Sequence, residues 1–208
     1  MDALGLREDP RFHSYSSLHQ LVDYCKLRLL CDFGGVCLDA DSYIVGYLDS
    51  AIDFRSDLWY IATLSSKRLT RAWSAGGRYR DVNNAFFAAP RSHPAVARYL
   101  AHVARLARPC APFDHRCVQR TTGPDVLRTF LETEGESLAR VQFLASEVAE
   151  PCCDGACRIT PRTVCVHESH LSWVLPAQRS ALRLAAWCSR FWLPLVLCVL
   201  LFRGRRTR

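Results

Sequence analysis

Two carboxylates one residue apart, Asp39 and Asp41, follow the apolar run Val36-Cys37-Leu38. Hard divalent cations take oxygen ligands, and Mg²⁺ or Mn²⁺ sites typically share one or two carboxylates with a diphosphate. Residues two apart in a strand point to the same side. In that geometry Asp39 and Asp41 converge on one ion, or one holds a ribose and the other the metal. The ion would neutralise a diphosphate leaving group as its bond breaks. The plainer alternative is a solvated acidic turn. A second group with ligand chemistry is Cys152, Cys153, Cys157, Cys165, His167 and His170. It offers four zinc ligands, although its spacing fits no common zinc finger. It also offers a disulfide within 152–165 if the domain faces an oxidising lumen. The eleven cysteines are odd in number, so they cannot all pair within the chain. Cys25, Cys31, Cys37, Cys188 and Cys198 stand in apolar runs and read as small buried hydrophobes.

The elements that must position these groups follow from periodicity. Leu18, Leu21, Val22, Cys25, Leu29 and Phe33 recur at helical spacing, which predicts a helix over 16–33. Ser16 or Ser17 can cap its start, and Gly34-Gly35 ends it. Residues 36–38 then form a buried strand ending at Asp39. Further strands are expected at 57–64, 84–89, 141–144 and 163–166. His93-Pro94 opens a helix whose inner face is Val96, Leu100, Val103 and Ala107, and Gly123-Pro124 opens another to about Glu134. Residues 65–82 and 109–122 read as loops. Helices alternating with short apolar strands predict an α/β domain.

The run from Asp23 to Asp41 resembles the DXD sugar-binding region of glycosyltransferase family 32, the group of mannosyltransferases and inositol phosphoceramide mannosyltransferases. In that family a helix carries Asp-x-x-Arg, followed by an aromatic, Gly-Gly, an apolar strand and Asp-x-Asp. Here Asp23 matches the helix Asp, Phe33 the aromatic and Gly34-Gly35 the glycines, while Lys26 stands where Arg is usual. Three later segments keep the family's order: Asn83–Pro90 with His93-Pro94, Thr122-Gly123-Pro124, and His167 with Ser172-Trp173.

The resemblance implies a GT-A-like nucleotide-sugar transferase fold over 11–176, here short of the family's first strand-helix unit. It implies a GDP- or UDP-sugar donor, Mn²⁺ or Mg²⁺, and retaining transfer of a hexose to a glycan or glycolipid acceptor. Asp39 and Asp41 would be catalytic and metal-binding, with His167 as a further metal contact. Asp23, Lys26, Gly34, Gly35, Asn84, Ser172 and Trp173 would line the donor site. The alternative is a truncated, non-catalytic homologue serving as a membrane-bound binding protein.

Composition bounds the rest. The chain has 208 residues, half of them hydrophobic and 23% charged, which is the balance of a globular domain and not a disordered one. The net charge is +7, but the arginines are scattered and no aromatic-interleaved basic stripe appears, so nucleic acid is not an expected partner. Residues 191–202 are continuously apolar and precede the basic tail 203–208. Extended back to Leu184 the segment approaches the length of a membrane span, with Arg190 snorkelling to the interface. A single membrane-anchoring helix over 184–202 is therefore expected, and the resemblance places it in the Golgi or endoplasmic reticulum.

Overall fold

The computed structural model describes residues 9–64, 79, 81–111, 114–134, 139–150 and 159–168. The chain divides into two units, Met1–His170 and Leu171–Arg208, and all of the second lies outside the described residues.

Helix α1 (Leu18–Phe33) ends at Gly34, whose N–H bonds to Leu30 O and whose φ is 70°. Ser17 occupies the N-cap position without a side-chain cap. Ser16 instead donates to Cys110 O at 2.7 Å, tying the helix start to a distant segment. Strand β1 (Gly35–Leu38) follows, then a turn closed by Ser42 N to Asp39 O at 3.0 Å, then β2 (Ser42–Ile44). The remaining elements are β3 (Trp59–Thr63), β4 (Val82–Ala89), α2 (Pro94–Arg105), α3 (His115–Thr121), α4 (Pro124–Glu134), β5 (Val141–Leu144), the single turn α5 (Ser146–Ala149) and β6 (Cys165–His167).

The expected helices and strands therefore stand close to their expected bounds, and the class is mixed α/β. Corrections concern short elements. Residues 109–122 are not a loop throughout, because α3 forms with Asp114 accepting from Cys117 N at its start. Strand β2 and the turn α5 were not anticipated. Both are too short for periodicity to register, and tertiary packing forms them. Ala107, expected on the inner face of α2, falls past the helix end but still packs against the core.

The main sheet has the order β1-β4-β3-β5. β4 runs antiparallel to both β1 and β3, while β3 and β5 are parallel. β2 and β6 form a separate antiparallel pair, with Ser42 opposite His167. One face of the main sheet packs on α1, α2 and α4 through Leu27, Leu30, Trp59, Phe87, Val96, Tyr99, Leu127 and Phe130. Burying each large apolar side chain contributes about 1.5–3 kcal/mol. The other face carries Tyr60, Ala62, Phe86, Ala88 and Leu144, which pack with Val148, Val164 and Cys165. All eight residues of β4 are buried, as a central strand covered on both faces requires.

β4 is irregular where it matters. Ile61 pairs with Phe87 and Thr63 with Val82, so two steps along β3 match five along β4. The surplus is a bulge at residues 83–86. It switches the alternation, so that Val82 shares the core of Phe87 and Ala89 rather than that of Phe86. Bulges re-aim side chains, and this one aims Asn83 and Asn84 at two different carboxylates.

Among the described residues no helix is long and apolar enough to cross a membrane. The expected anchoring segment 184–202 lies outside them, as do Ser172, Trp173 and the cysteines at 152, 153 and 157.

Candidate metal centre

Asp39 directly follows β1 and Asp41 stands in the turn beyond it, so the two carboxylates do not meet by strand alternation as expected. They meet because the turn reverses the chain and leads into β2, which pairs with β6 and so brings His167 opposite Ser42. His167 Nε2 lies 3.2 Å from Asp41 Oδ1 and 3.9 Å from Asp39 Oδ2. One ligand atom from each of the three residues falls within 4.8 Å of the others. The side chains are 27% (Asp39), 22% (Asp41) and 12% (His167) exposed, open enough for a small ligand to enter. Two carboxylate oxygens and an imidazole nitrogen can hold a divalent cation. Imidazole suits Mn²⁺ better than Mg²⁺, which prefers an all-oxygen octahedron.

Behind His167 stands Glu150, fully buried at the end of α5. Its Oε2 lies 2.9 Å from His167 Nδ1, and its Oε1 accepts from Asn83 Nδ2 at 3.0 Å. With Glu150 ionised, His167 carries a proton on Nδ1, and with a cation bound its Nε2 lone pair would face that ion between Asp39 and Asp41. Carboxylate–imidazole pairs of this kind fix the tautomer and orientation of metal-binding histidines. Burial disfavours charge on His167. Glu150, Asp41 and Asp39 outweigh that and raise its pKa above the ordinary value. Burial also raises Glu150, with His167 and Asn83 opposing.

The second half of the cluster comes from α1. Asp23 and Lys26 are one helical turn apart with Lys26 Nζ 3.2 Å from Asp23 Oδ1. The same ammonium pairs with Asp39 Oδ1 and donates to Asn84 O at 3.0 Å. Asp23 also accepts from Asn84 Nδ2 at 2.9 Å and from Thr122 Oγ1 at 3.0 Å. The pair is therefore not the exposed helical ion pair that its spacing alone would allow, since Lys26 is buried at 7% exposure. Burial would lower its pKa, but Asp23 and Asp39 together hold it above the ordinary value. Burial pushes Asp23 up to about 6, with Lys26 opposing and Asp39 adding to the rise.

Asp23, Lys26, Asn84, Asp39, Asp41 and His167 thus form one connected cluster. Four carboxylates (with Glu150) face one ammonium and one imidazole, an excess of negative charge that favours a bound cation. Gly34 and Gly35 do not join it. They stand at the opposite end of β1, Gly35 about 13 Å and Gly34 about 17 Å from Asp39 at 3.3 Å per residue, where Gly34 lets α1 exit against the Pro90–Arg91 backbone. Glu150, Asn83 and Thr122 are partners that sequence reasoning missed. Thr122 and Asn83 lie inside the quoted segments, so their positions carried a signal, whereas nothing about the spacing of Glu150 marks it.

Cys165 is buried, unpaired and held in the second core, and burial pushes its thiol up to about 12. It takes part in neither a disulfide nor the Asp39–Asp41–His167 group. The described disulfide is Cys110–Cys117, which was not anticipated.

Compared with known proteins, the chain matches no family model, and no curated protein matches it.

Proposed function

We propose that this chain is a metal-dependent, retaining glycosyltransferase with a GT-A-like domain, moving a hexose from a GDP- or UDP-sugar to a glycan or glycolipid acceptor. The observation that carries the reading is the meeting of Asp39, Asp41 and His167 beside the Asp23–Lys26–Asn84 network.

Asp39, Asp41 and His167 would hold Mn²⁺ or Mg²⁺. When bound, the ion supplies positive charge to a departing diphosphate. The other steps belong to the chain. Lys26 neutralises Asp39 Oδ1, which leaves Oδ2 as the oxygen facing His167. Glu150 holds the imidazole with Nε2 toward the cluster. Asp23 already accepts from Asn84, Thr122 and Lys26, yet each carboxylate oxygen has two lone pairs. It therefore keeps capacity for a sugar hydroxyl, and its partners fix its orientation before any sugar arrives. Such preorganisation lowers the cost of binding. By the family resemblance alone, Ser172 and Trp173 are proposed as donor-site residues, and residues 184–202 as an anchor in a Golgi or endoplasmic reticulum membrane.

The experiment is donor binding by saturation-transfer NMR, with GDP- and UDP-sugars in the presence and absence of Mn²⁺. The proposal expects one donor class to bind only with Mn²⁺, and Asp41→Ala to abolish the effect. Binding indifferent to Mn²⁺ would remove the metal from the account.

A further inference from the structure

A cleft opens between α3 and the segment that follows α2. About 430 Å³ in volume, it is lined by Arg108, Arg116 and Arg120 together with Pro109, Asp114 and Cys117. The three arginines are exposed, and none has a carboxylate within ion-pair distance among the described residues. The single acid in the lining, Asp114, is engaged in capping α3 through Cys117 N. The lining therefore holds three guanidinium groups against one carboxylate.

The frame that carries these arginines is fixed. Arg116 and Arg120 are one helical turn apart on α3 and so share a face. Arg108 belongs to the segment after α2, and the Cys110–Cys117 disulfide ties that segment to α3. The fully buried Gln20 of α1 donates from Nε2 both to Arg108 O at 3.1 Å and to Thr121 Oγ1 at 2.8 Å. Ser16 holds Cys110 O. Both walls of the cleft are thus pinned to the same helix. Guanidinium groups bind phosphate oxygens in a two-pronged geometry, and three on a fixed frame select a ligand with several anionic oxygens.

We propose that this cleft binds a phosphate ester or diphosphate group, independently of the Asp39–Asp41–His167 cluster. The ligand chemistry is shared by soluble phosphates and by phosphorylated lipid headgroups. The inference does not rest on the glycosyltransferase reading.

The test uses the full chain in EDTA, so that no metal ion contributes through the carboxylate cluster. Inorganic pyrophosphate is titrated by calorimetry. In parallel, co-sedimentation is measured on vesicles of phosphatidylcholine with phosphatidylinositol monophosphate, against phosphatidylcholine alone. The variants are Arg116→Gln/Arg120→Gln and, as a control of equal charge loss at exposed arginines elsewhere, Arg55→Gln/Arg91→Gln. Pyrophosphate binding that weakens about tenfold or more in the first variant and not in the control establishes the site. If the excess sedimentation on phosphoinositide vesicles falls in the same pattern, the headgroup is the source, and if pyrophosphate alone responds, the ligand is soluble. Absence of binding to both probes by the unaltered chain, or equal weakening in both variants, overturns the proposal.

Discussion

The fully buried Glu150 carboxylate and the half-buried His167 lie 2.9 Å apart at Nδ1, which turns the other imidazole nitrogen toward Asp41 at 3.2 Å. Glu150 touches neither Asp39 nor Asp41 and would act through His167. Glu150→Gln removes the charge that favours an Nδ1-protonated imidazole. Mn²⁺ affinity, followed by electron paramagnetic resonance, is expected to fall about 10–100-fold, the usual cost of losing such a partner. The variant should keep its fold, because the amide is nearly isosteric and can still bond to Asn83 and His167. Unchanged Mn²⁺ affinity would show that Glu150 plays no part in orienting the histidine.

Lys26 is the one ammonium between two carboxylates. Lys26→Met keeps the aliphatic stem but leaves Asp23 and Asp39 without their counter-ion. Breaking one partner of a buried pair costs about 3–5 kcal/mol. Asp39 is 27% exposed and partly relieved by water, so about 2–3 kcal/mol is expected here. Urea denaturation should show this as a lower midpoint with an unchanged slope.

Asp23 gives the protein a pH-dependent stability with a definite sign. Its folded pKa is raised from 3.8 to about 6, chiefly by burial. Between those values the folded state binds the proton more tightly than the unfolded state, so stability falls as pH rises from about 4 to about 6. The total is about 3 kcal/mol at most, from about 1.4 kcal/mol per pKa unit. The difference in unfolding free energy between the unaltered chain and Asp23→Asn should change over that window and be flat above it. A difference independent of pH would place the Asp23 titration elsewhere.

Gly34→Ala tests the role of the glycine pair. The residue has φ 70°, and an added Cβ would overlap the backbone nitrogen of Arg91 and approach Pro90 C at 2.9 Å. Backbone cannot swing aside as a side chain can. The conformational cost alone is about 1–3 kcal/mol, so thermal stability should fall clearly. Gly35→Ala meets nothing within 4 Å and carries only the cost of its φ of 95°. If both glycines instead lost Mn²⁺ affinity without losing stability, they would belong to the site after all.

Helices α1, α2 and α4 and strands β1, β3, β4 and β5 were legible because each is set by local periodicity or by Gly and Pro at its ends. The convergence of Asp39 and Asp41 was legible as an outcome, but the cause was misassigned. Strand alternation was expected, and a turn closed by Ser42 N does it. The bulge at 83–86 could not be read, because its signal is a mismatch of register between β3 and β4 and exists only once both strands pair. Glu150 was invisible for a similar reason. A lone acidic residue after a one-turn helix looks like a solvated loop until Asn83 and His167 close around it. Asp23, Lys26 and Asn84, expected along one donor site, lie in contact with one another, and Lys26 bridges the two halves of the cluster rather than standing beside Asp23 alone.

Asp39, Asp41 and His167 are proposed to bind the ion that a nucleotide-sugar reaction needs. The most direct measurement is nucleotide release from a panel of GDP- and UDP-sugars by the full chain with Mn²⁺, beside the same chain in EDTA and beside Asp39→Ala/Asp41→Ala. Turnover of one donor class is expected with Mn²⁺, with none in EDTA and none in the double variant. Turnover that persists in the double variant would contradict this role, and so would a folded, Mn²⁺-loaded chain that turns over no donor.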